Sequence, residues 1–438
     1  MLGRGIRTDW RRSLRALLAA ALLAAPLAGL CAATQANTTA VLAQNGADDA
    51  SLLGPPTGTV LPAPPLTPVA PTAPAVPVSP IAPIAPITPA VPAMPAAPAP
   101  VRIALLLPLR SATLGAAAQA VRDGVLAGHE REPAGIALEV LETGDAPQDV
   151  LPAYAAAVER FDIVIGPLSR ADVTTVAQSG KVTRPTIALS PPQGDAEAMP
   201  PARMLVAGLS LEDEARQVAG WIGADHPGAA VFVIAADGAW QQRAARAFTL
   251  QARPAGISAQ GMTLAASGGN LDAAALAQLR RRIATERPQA LFAALDAQQA
   301  LQLRAAIGDE IPLYGTSQLN PLAQAEWAEA EPVSGLEGAR LVDIPWQVQR
   351  DHPAVMIYPH SVEAGKRGAV RERLYALGID AYRVAREVAA GHSDFTLDGV
   401  TGRLTVRFGN GNGISSLQRS ETEAVYRDGR VQALTGTR

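Results

Sequence analysis

The sequence predicts a two-lobed α/β domain, each lobe a mostly parallel sheet flanked by helices, filling residues 101–438 behind about a hundred residues that do not join it. Three observations predict it. At Val101 a Pro/Ala-rich stretch gives way to Val101-Arg102-Ile103-Ala104-Leu105-Leu106-Leu107-Pro108, an apolar run of the length of a strand buried on both faces. From there strand-like and helix-like segments alternate in too large a number for one compact sheet. Hydrophobic residues make up 48% of the chain but aromatics only 4%, so the cores must be assembled from Ala, Leu, Val and Ile, a composition suited to helices on a parallel sheet.

The elements follow in order. After the strand at Val101, a helix over Ala116 to Ala127 leads to a strand over Ile136 to Leu141. Next come a helix from about Leu151 to Arg160, a strand over Phe161 to Gly166, a helix over Ala171 to Gln178 and a strand over Thr186 to Ser190. A second series has a helix over Leu211 to Ile222, a strand over Ala229 to Ala235 and a helix over Gln241 to Gln251. It continues with a helix over Leu271 to Thr285, a strand over Ala290 to Ala294, a helix over Ala297 to Ile307 and a strand over Ile311 to Gly315. Such alternation calls for right-handed crossovers in doubly wound sheets. Two sheets divide the chain, with crossings expected near Val206, near Ser317 and near Gly399 to Gly402. Lobe 1 then takes about 101–206 and 319–399, and lobe 2 about 207–318 and 400–438.

Residues 1–36 read as a signal peptide. Arg4, Arg7, Arg11, Arg12 and Arg15 precede the apolar stretch Leu17 to Leu30, which is too short to span a bilayer. Cys31, the chain's single cysteine, closes Leu27-Ala28-Gly29-Leu30-Cys31, similar to the lipobox of bacterial lipoproteins but with the bulky Leu30 where a small residue belongs. Cleavage after Thr34-Gln35-Ala36 is the other option. One cysteine makes no intrachain disulfide. Residues 37–100 form a disordered Pro/Ala-rich tether: Pro55 to Pro100 holds 17 of the chain's 37 prolines. Proline fixes φ and lacks a donor, so this stretch samples polyproline II at ~3.1 Å per residue, on the order of 140 Å drawn out. The formal charge is −3, and without residues 1–36, which carry five Arg and one Asp, it becomes −7, a poor match for nucleic acid. The basic residues include only two lysines, Lys181 and Lys366, which reads as Arg-favouring codon usage.

In sheets of this kind ligands bind beyond the carboxyl ends of the strands. Those ends carry Ser111, Ser169, Ser190, Asp237, Trp240, Thr316, Ser317 and Gln318, the candidate lining of an interlobe cleft. Ser, Thr, Pro and Gly also belong in turns on their own account, and for any one of these residues that is the simpler account.

The residues also carry a resemblance. Leu105-Leu106-Leu107-Pro108-Leu109, Gln119-Ala120-Val121-Arg122-Asp123-Gly124 and Ile165-Gly166-Pro167-Leu168 are similar to the first lobe of type I periplasmic binding proteins. Tyr314-Gly315-Thr316-Ser317-Gln318, Asp343-Ile344-Pro345-Trp346, Leu374 to Tyr382 (LYALGIDAY) and Gly399-Val400-Thr401-Gly402-Arg403-Leu404 resemble the penicillin-binding protein activator family (LpoA, formerly LppC). The resemblance covers Val101 to Arg438. It implies a type I periplasmic-binding-protein-like fold and a non-catalytic regulator that stimulates a bifunctional peptidoglycan synthase, a class A penicillin-binding protein, from the outer membrane. Two features depart from the family: Leu30 in the lipobox, and the Pro-rich segment where the best-known members have a helical-repeat domain.

No catalytic apparatus stands out. His129, His226, His352, His360 and His392 are scattered without metal-ligand spacing, and there is no nucleophile elbow or phosphate loop. No cofactor and no enzymatic activity are expected. A docking regulator needs a poorly polar cleft and exposed anchors, for which Trp240, Trp327 and Trp346 are candidates only in the weakest sense, burial being the simpler fate of each tryptophan. The alternative, a periplasmic receptor feeding an amino acid or similar small molecule to an importer, needs convergent polar groups, to which Ser111, Ser190 and Asp237 could contribute. A sensor binding a wall fragment in the cleft is the third option. Either way the expected compartment is the periplasm.

Overall fold

The computed structural model describes residues 99–144, 146–194, 199–323, 333–360, 368–409 and 413–434. Residues 1–36, read above as a signal peptide, together with Cys31, Trp327 and most of the proline-rich stretch, lie outside them.

Lobe 1 begins with β1 (Val101–Leu107), α1 (Gly115–Arg131), β2 (Ile136–Glu142), α2 (Pro147–Arg160), β3 (Ile163–Ile165), α3 (Arg170–Gln178), β4 (Thr186–Ala188) and β5 (Met204–Val206). Its five strands lie in the order β2-β1-β3-β4-β5, all parallel. The period of two explains the continuous apolar run of β1. Ile103, Leu105 and Leu107 face α1, whereas Ala104 and Leu106 face Tyr154 and Val158 of α2 and Val173 of α3 on the other side. Burying each larger aliphatic side chain of such a strand contributes about 1.5–3 kcal/mol.

Lobe 2 opens with α4 (Leu211–Asp225), β6 (Ala230–Ala236), α5 (Ala239–Ala252), β7 (Ser258–Leu264) and a two-residue hairpin, β8 (Ala266–Ser267) with β9 (Asn270–Leu271). It continues through α6 (Ala273–Glu286), β10 (Ala290–Ala294), α7 (Ala297–Ile307), β11 (Leu313–Gly315) and β12 (Arg340–Asp343). The same alternation recurs in β6: Val231, Val233 and Ala235 pack with α4 and α5, and Phe232, Ile234 and Ala236 with α6 and α7.

The rest of the chain returns to lobe 1 before finishing in lobe 2. After β12 come α8 (Pro345–Val348), α9 (Pro353–Met356), α10 (Gly368–Ala389) and the antiparallel strands β13 (Asp394–Gly399), β14 (Gly402–Arg407) and β15 (Ser416–Ser420). Leu377, Ala381 and Val384 of α10 with Leu404 and Val406 of β14 enter the same core as β1. The chain ends on β16 (Thr422–Arg427) and β17 (Arg430–Ala433), which complete a seven-stranded sheet of order β17-β16-β12-β11-β10-β6-β7. There β16 runs antiparallel to β12 and β17 antiparallel to β16, and the other neighbours are parallel.

The lobe boundaries differ from the expected ones in two places. The first crossing follows β5. The second is not at Ser317: the chain makes 3-10 turns at Ser317–Leu319 and Pro321–Ala323 and then adds β12 to lobe 2, leaving only after Asp343. The third is not at Gly399 to Gly402, which is the β13–β14 turn inside lobe 1, but at Glu421, between β15 and β16. Residues 340–343 thus belong to lobe 2 and residues 402–420 to lobe 1. Strands as short as β12, which sends Leu341 and Val342 to opposite faces, leave no periodic signal to read.

Candidate functional site

The carboxyl ends of β1, β3 and β4 carry Ser111, Ser169 and Ser190, and those of β6 and β11 carry Asp237 with Trp240 and Thr316 to Gln318. Several of these groups have local work. Ser111 Oγ accepts from the Thr113 and Leu114 amides at 3.2 and 2.9 Å, closing the turn into α1. Ser169 is the N-cap of α3, its Oγ 3.0 Å from the Asp172 amide. Thr316 is fully buried and caps the 3-10 turn through the Gln318 amide at 3.4 Å. Ser317, 1% exposed, donates its amide to Glu214 Oε2 at 2.7 Å and its hydroxyl to Oε1 at 3.0 Å. Ser190, Trp240 and Gln318 are half-buried and Asp237 is exposed. Trp346 is buried, the simpler of the two fates expected for it, and donates its Nε1 to Glu372 at 2.9 Å. It sits in an apolar cluster with Ile344, Tyr358 and Ile379.

The Ser317–Glu214 contact opens onto a larger arrangement that the sequence did not single out. Glu214 lies in the first turn of α4, which runs antiparallel to the strands it covers and so starts at their carboxyl ends. Asp343, 0% exposed, ends β12. Its Oδ2 accepts from Arg373 Nη2 of α10 at 2.7 Å and from Asn320 Nδ2 at 2.8 Å, and its Oδ1 accepts from the Ile344 amide at 2.7 Å. Arg373 and Glu421 are each 8% exposed. The backbone of Glu421, at the third crossing, is bracketed by the Gln217 amide group: Glu421 N donates to Oε1 at 2.9 Å and its carbonyl accepts from Nε2 at 2.8 Å. A buried arginine of lobe 1 is thereby seated among three buried carboxyl groups, two from lobe 2 and one from the crossing between lobes.

A second set of bonds ties the crossings to one another. Arg419 of β15 donates to the Ala207 and Gly208 carbonyls of the first crossing at 2.6 and 2.9 Å and to Thr401 Oγ1 at 3.1 Å. Thr401 donates its hydroxyl and amide to Asp380 Oδ2 at 2.6 and 2.7 Å, and the Val400 amide reaches Oδ1 at 3.1 Å. The Trp346 amide donates to the Val400 carbonyl at 3.0 Å, linking the second crossing.

Burial dominates the electrostatics. It pushes the Glu214 carboxyl up to about 7, against the pull of Arg373 and the Ser317 amide. Burial, and then the neighbouring Glu214 carboxylate, raise Glu421 well above the usual carboxylate range. Burial works against the Arg373 charge, but Asp343 and Glu214 outweigh it and hold its pKa above the ordinary arginine value. Among the described residues no group of three or more His, Cys, Asp or Glu side chains could hold a metal ion, and no helix is long and apolar enough to cross a membrane.

Two lobes of helix-flanked parallel sheet, joined by three crossings with polar groups between them, define a periplasmic-binding-protein-like module. The chain belongs to the family described as "LppC putative lipoprotein", whose model matches residues 96–412. Among solved structures, one from Chromobacterium violaceum described as a "putative branched-chain amino acid ABC transporter" is 33% identical, with 74% of this chain and 99% of that one covered and a TM-score of 0.57. The C-domain of Haemophilus influenzae LpoA, described as a regulator of PBP1A, is 18% identical, with coverage of 76% and 100% and a TM-score of 0.60. The match to full-length LpoA of that organism is also 18% identical but spans only 59% of its length. No curated protein matches the sequence.

Proposed function

We propose that this protein is a non-catalytic regulator of the bacterial envelope that docks on a bifunctional peptidoglycan synthase and stimulates cell-wall synthesis. The observation that carries this reading is family membership over residues 96–412, in a family whose description is that of a lipoprotein. The Haemophilus protein of the same fold, described as a regulator of PBP1A, points to a class A penicillin-binding protein as the partner. The site chemistry agrees with a scaffold: Ser111, Ser169, Thr316 and Ser317 satisfy the protein's own backbone and Glu214, where a receptor would turn such hydroxyls to a solute. In this reading residues 1–36 direct export, residues 37–100 serve as the tether, and acylated Cys31 holds the protein at the outer membrane while the domain reaches inward.

A second reading, a periplasmic solute receptor, is favoured by the description of the Chromobacterium structure. One experiment separates them. The mature chain and its Cys31→Ser form are used to capture partners from envelope extract, and the captured synthase is assayed for glycan polymerisation and crosslinking. The regulator reading expects capture and stimulation by both forms, with Cys31→Ser released from membranes. Absence of both, together with tight binding of a free amino acid, would establish the receptor instead.

A further inference from the structure

The three passages between the lobes are drawn into one buried polar joint, and its composition sets a charge problem. Glu214 comes from α4, Asp343 from the end of β12, Glu421 from the third crossing, Arg373 from α10 and Arg419 from β15, with Ser317 and Asn320 added by the 3-10 turn region after β11. Asp343 is matched by Arg373 at 2.7 Å. Arg419 directs its three nitrogens to the Ala207 and Gly208 carbonyls and to Thr401, so it leaves the acids no direct bond. Glu214 receives the Ser317 amide and hydroxyl, whereas Glu421 Oε2 is buried with no hydrogen-bond partner. Three ionised carboxylates would leave the joint with net negative charge in a region from which water is excluded. A carboxylate with a bare oxygen there is far more costly than a neutral carboxyl.

We propose that the joint is a clasp that keeps a proton on the Glu214–Glu421 pair, and that this proton, with Arg373, holds the two lobes at one fixed angle until its loss loosens them. Across the lobes the clasp is closed by Arg373 of lobe 1 on Asp343 of lobe 2, and the Glu214 and Glu421 charges act on that same arginine, so their protonation bears directly on the interlobe contact. The raised affinity of both carboxyls for the proton agrees with this. Asp380, another buried acid near the crossings, accepts from the Val400 and Thr401 donors and pairs with Arg383 at 3.4 Å, so its oxygens are held within its own turn. The inference holds whichever partner the protein serves.

The test is a distance measurement between the lobes. In the mature chain carrying Cys31→Ser, spin labels are placed by Thr396→Cys in lobe 1 and Leu250→Cys in lobe 2, both exposed positions, and read by double electron resonance at pH 6 and pH 9. One narrow distance population is expected at pH 6 and a second, shifted population at pH 9, with circular dichroism unchanged. Glu421→Gln, which keeps the joint neutral, should hold the single population at both pH values, and Arg373→Met should show the second at both. A wild-type distribution identical at pH 6 and 9 overturns the proposal, even if the variants fail to fold. A shift of the same size in folded Glu421→Gln overturns it as well.

Discussion

Asp343 carries more of this structure than its length of side chain implies. With 0% exposure it binds the Ile344 amide, Asn320 and Arg373 at once, so its removal strands a buried guanidinium and a buried amide together. Asp343→Ala is expected to lower the unfolding free energy by about 3–5 kcal/mol, read from urea denaturation, whereas the same change at the exposed Asp394, paired with Arg407 at 3.6 Å, should cost less than about 1 kcal/mol. The sequence offered a partial signal for such residues. Asp343, Asp380 and Thr401 all lie in the strings that carried the family resemblance, but Glu214 stands beside Glu212 and Asp213 in a helix first turn, where acids are favoured by the helix dipole alone. Nothing in a one-dimensional pattern could pair Glu214 with Ser317, 103 residues away. The hydroxyls at strand ends were legible by position, yet that position serves turns and caps as readily as ligands.

At the scale of elements, α1 and α10 approach so closely that glycine is required on both. A Cβ on Gly124 would strike the Tyr375 carbonyl, and one on Gly378 would strike that of Val121. Backbone against backbone leaves no flexible end to yield, so Gly378→Ala is expected to destabilise lobe 1 by about 1–3 kcal/mol or more, lowering the midpoint of thermal unfolding. Strands buried on both faces, such as β1, β6 and β10, were legible because they are apolar almost throughout, the exposed Arg102 near the start of β1 being the exception. The three-residue β5, the largely exposed edge strand β7 and the hairpin strands β13 to β17 were not read as elements, because their stability comes from neighbours distant in the chain.

At the scale of the whole molecule, the two raised carboxyls make stability a function of pH. Glu214 and Glu421 bind a proton more tightly folded than unfolded, so their contribution is complete below the ordinary carboxylate range and is lost as pH rises through the folded values, near 7 for Glu214. Unfolding free energy measured from pH 5 to pH 8 should fall by about 2–3 kcal/mol from Glu214 alone, and Glu214→Gln should flatten that slope. A stability that instead rises across this window in the wild type, with Glu214→Gln unchanged from it, contradicts the assignment.

The last strands of the chain, β16 and β17, close the sheet that α4 and β6 began some two hundred positions earlier, after the intervening segment has finished the other lobe. A polypeptide emerging amino end first therefore completes lobe 1 only at β15, and lobe 2, begun before that segment, later still. Until β16 arrives, β12 is a bare sheet edge, so maturation of this domain waits on delivery of that hairpin, and any chaperone guarding the edge must hold on until then.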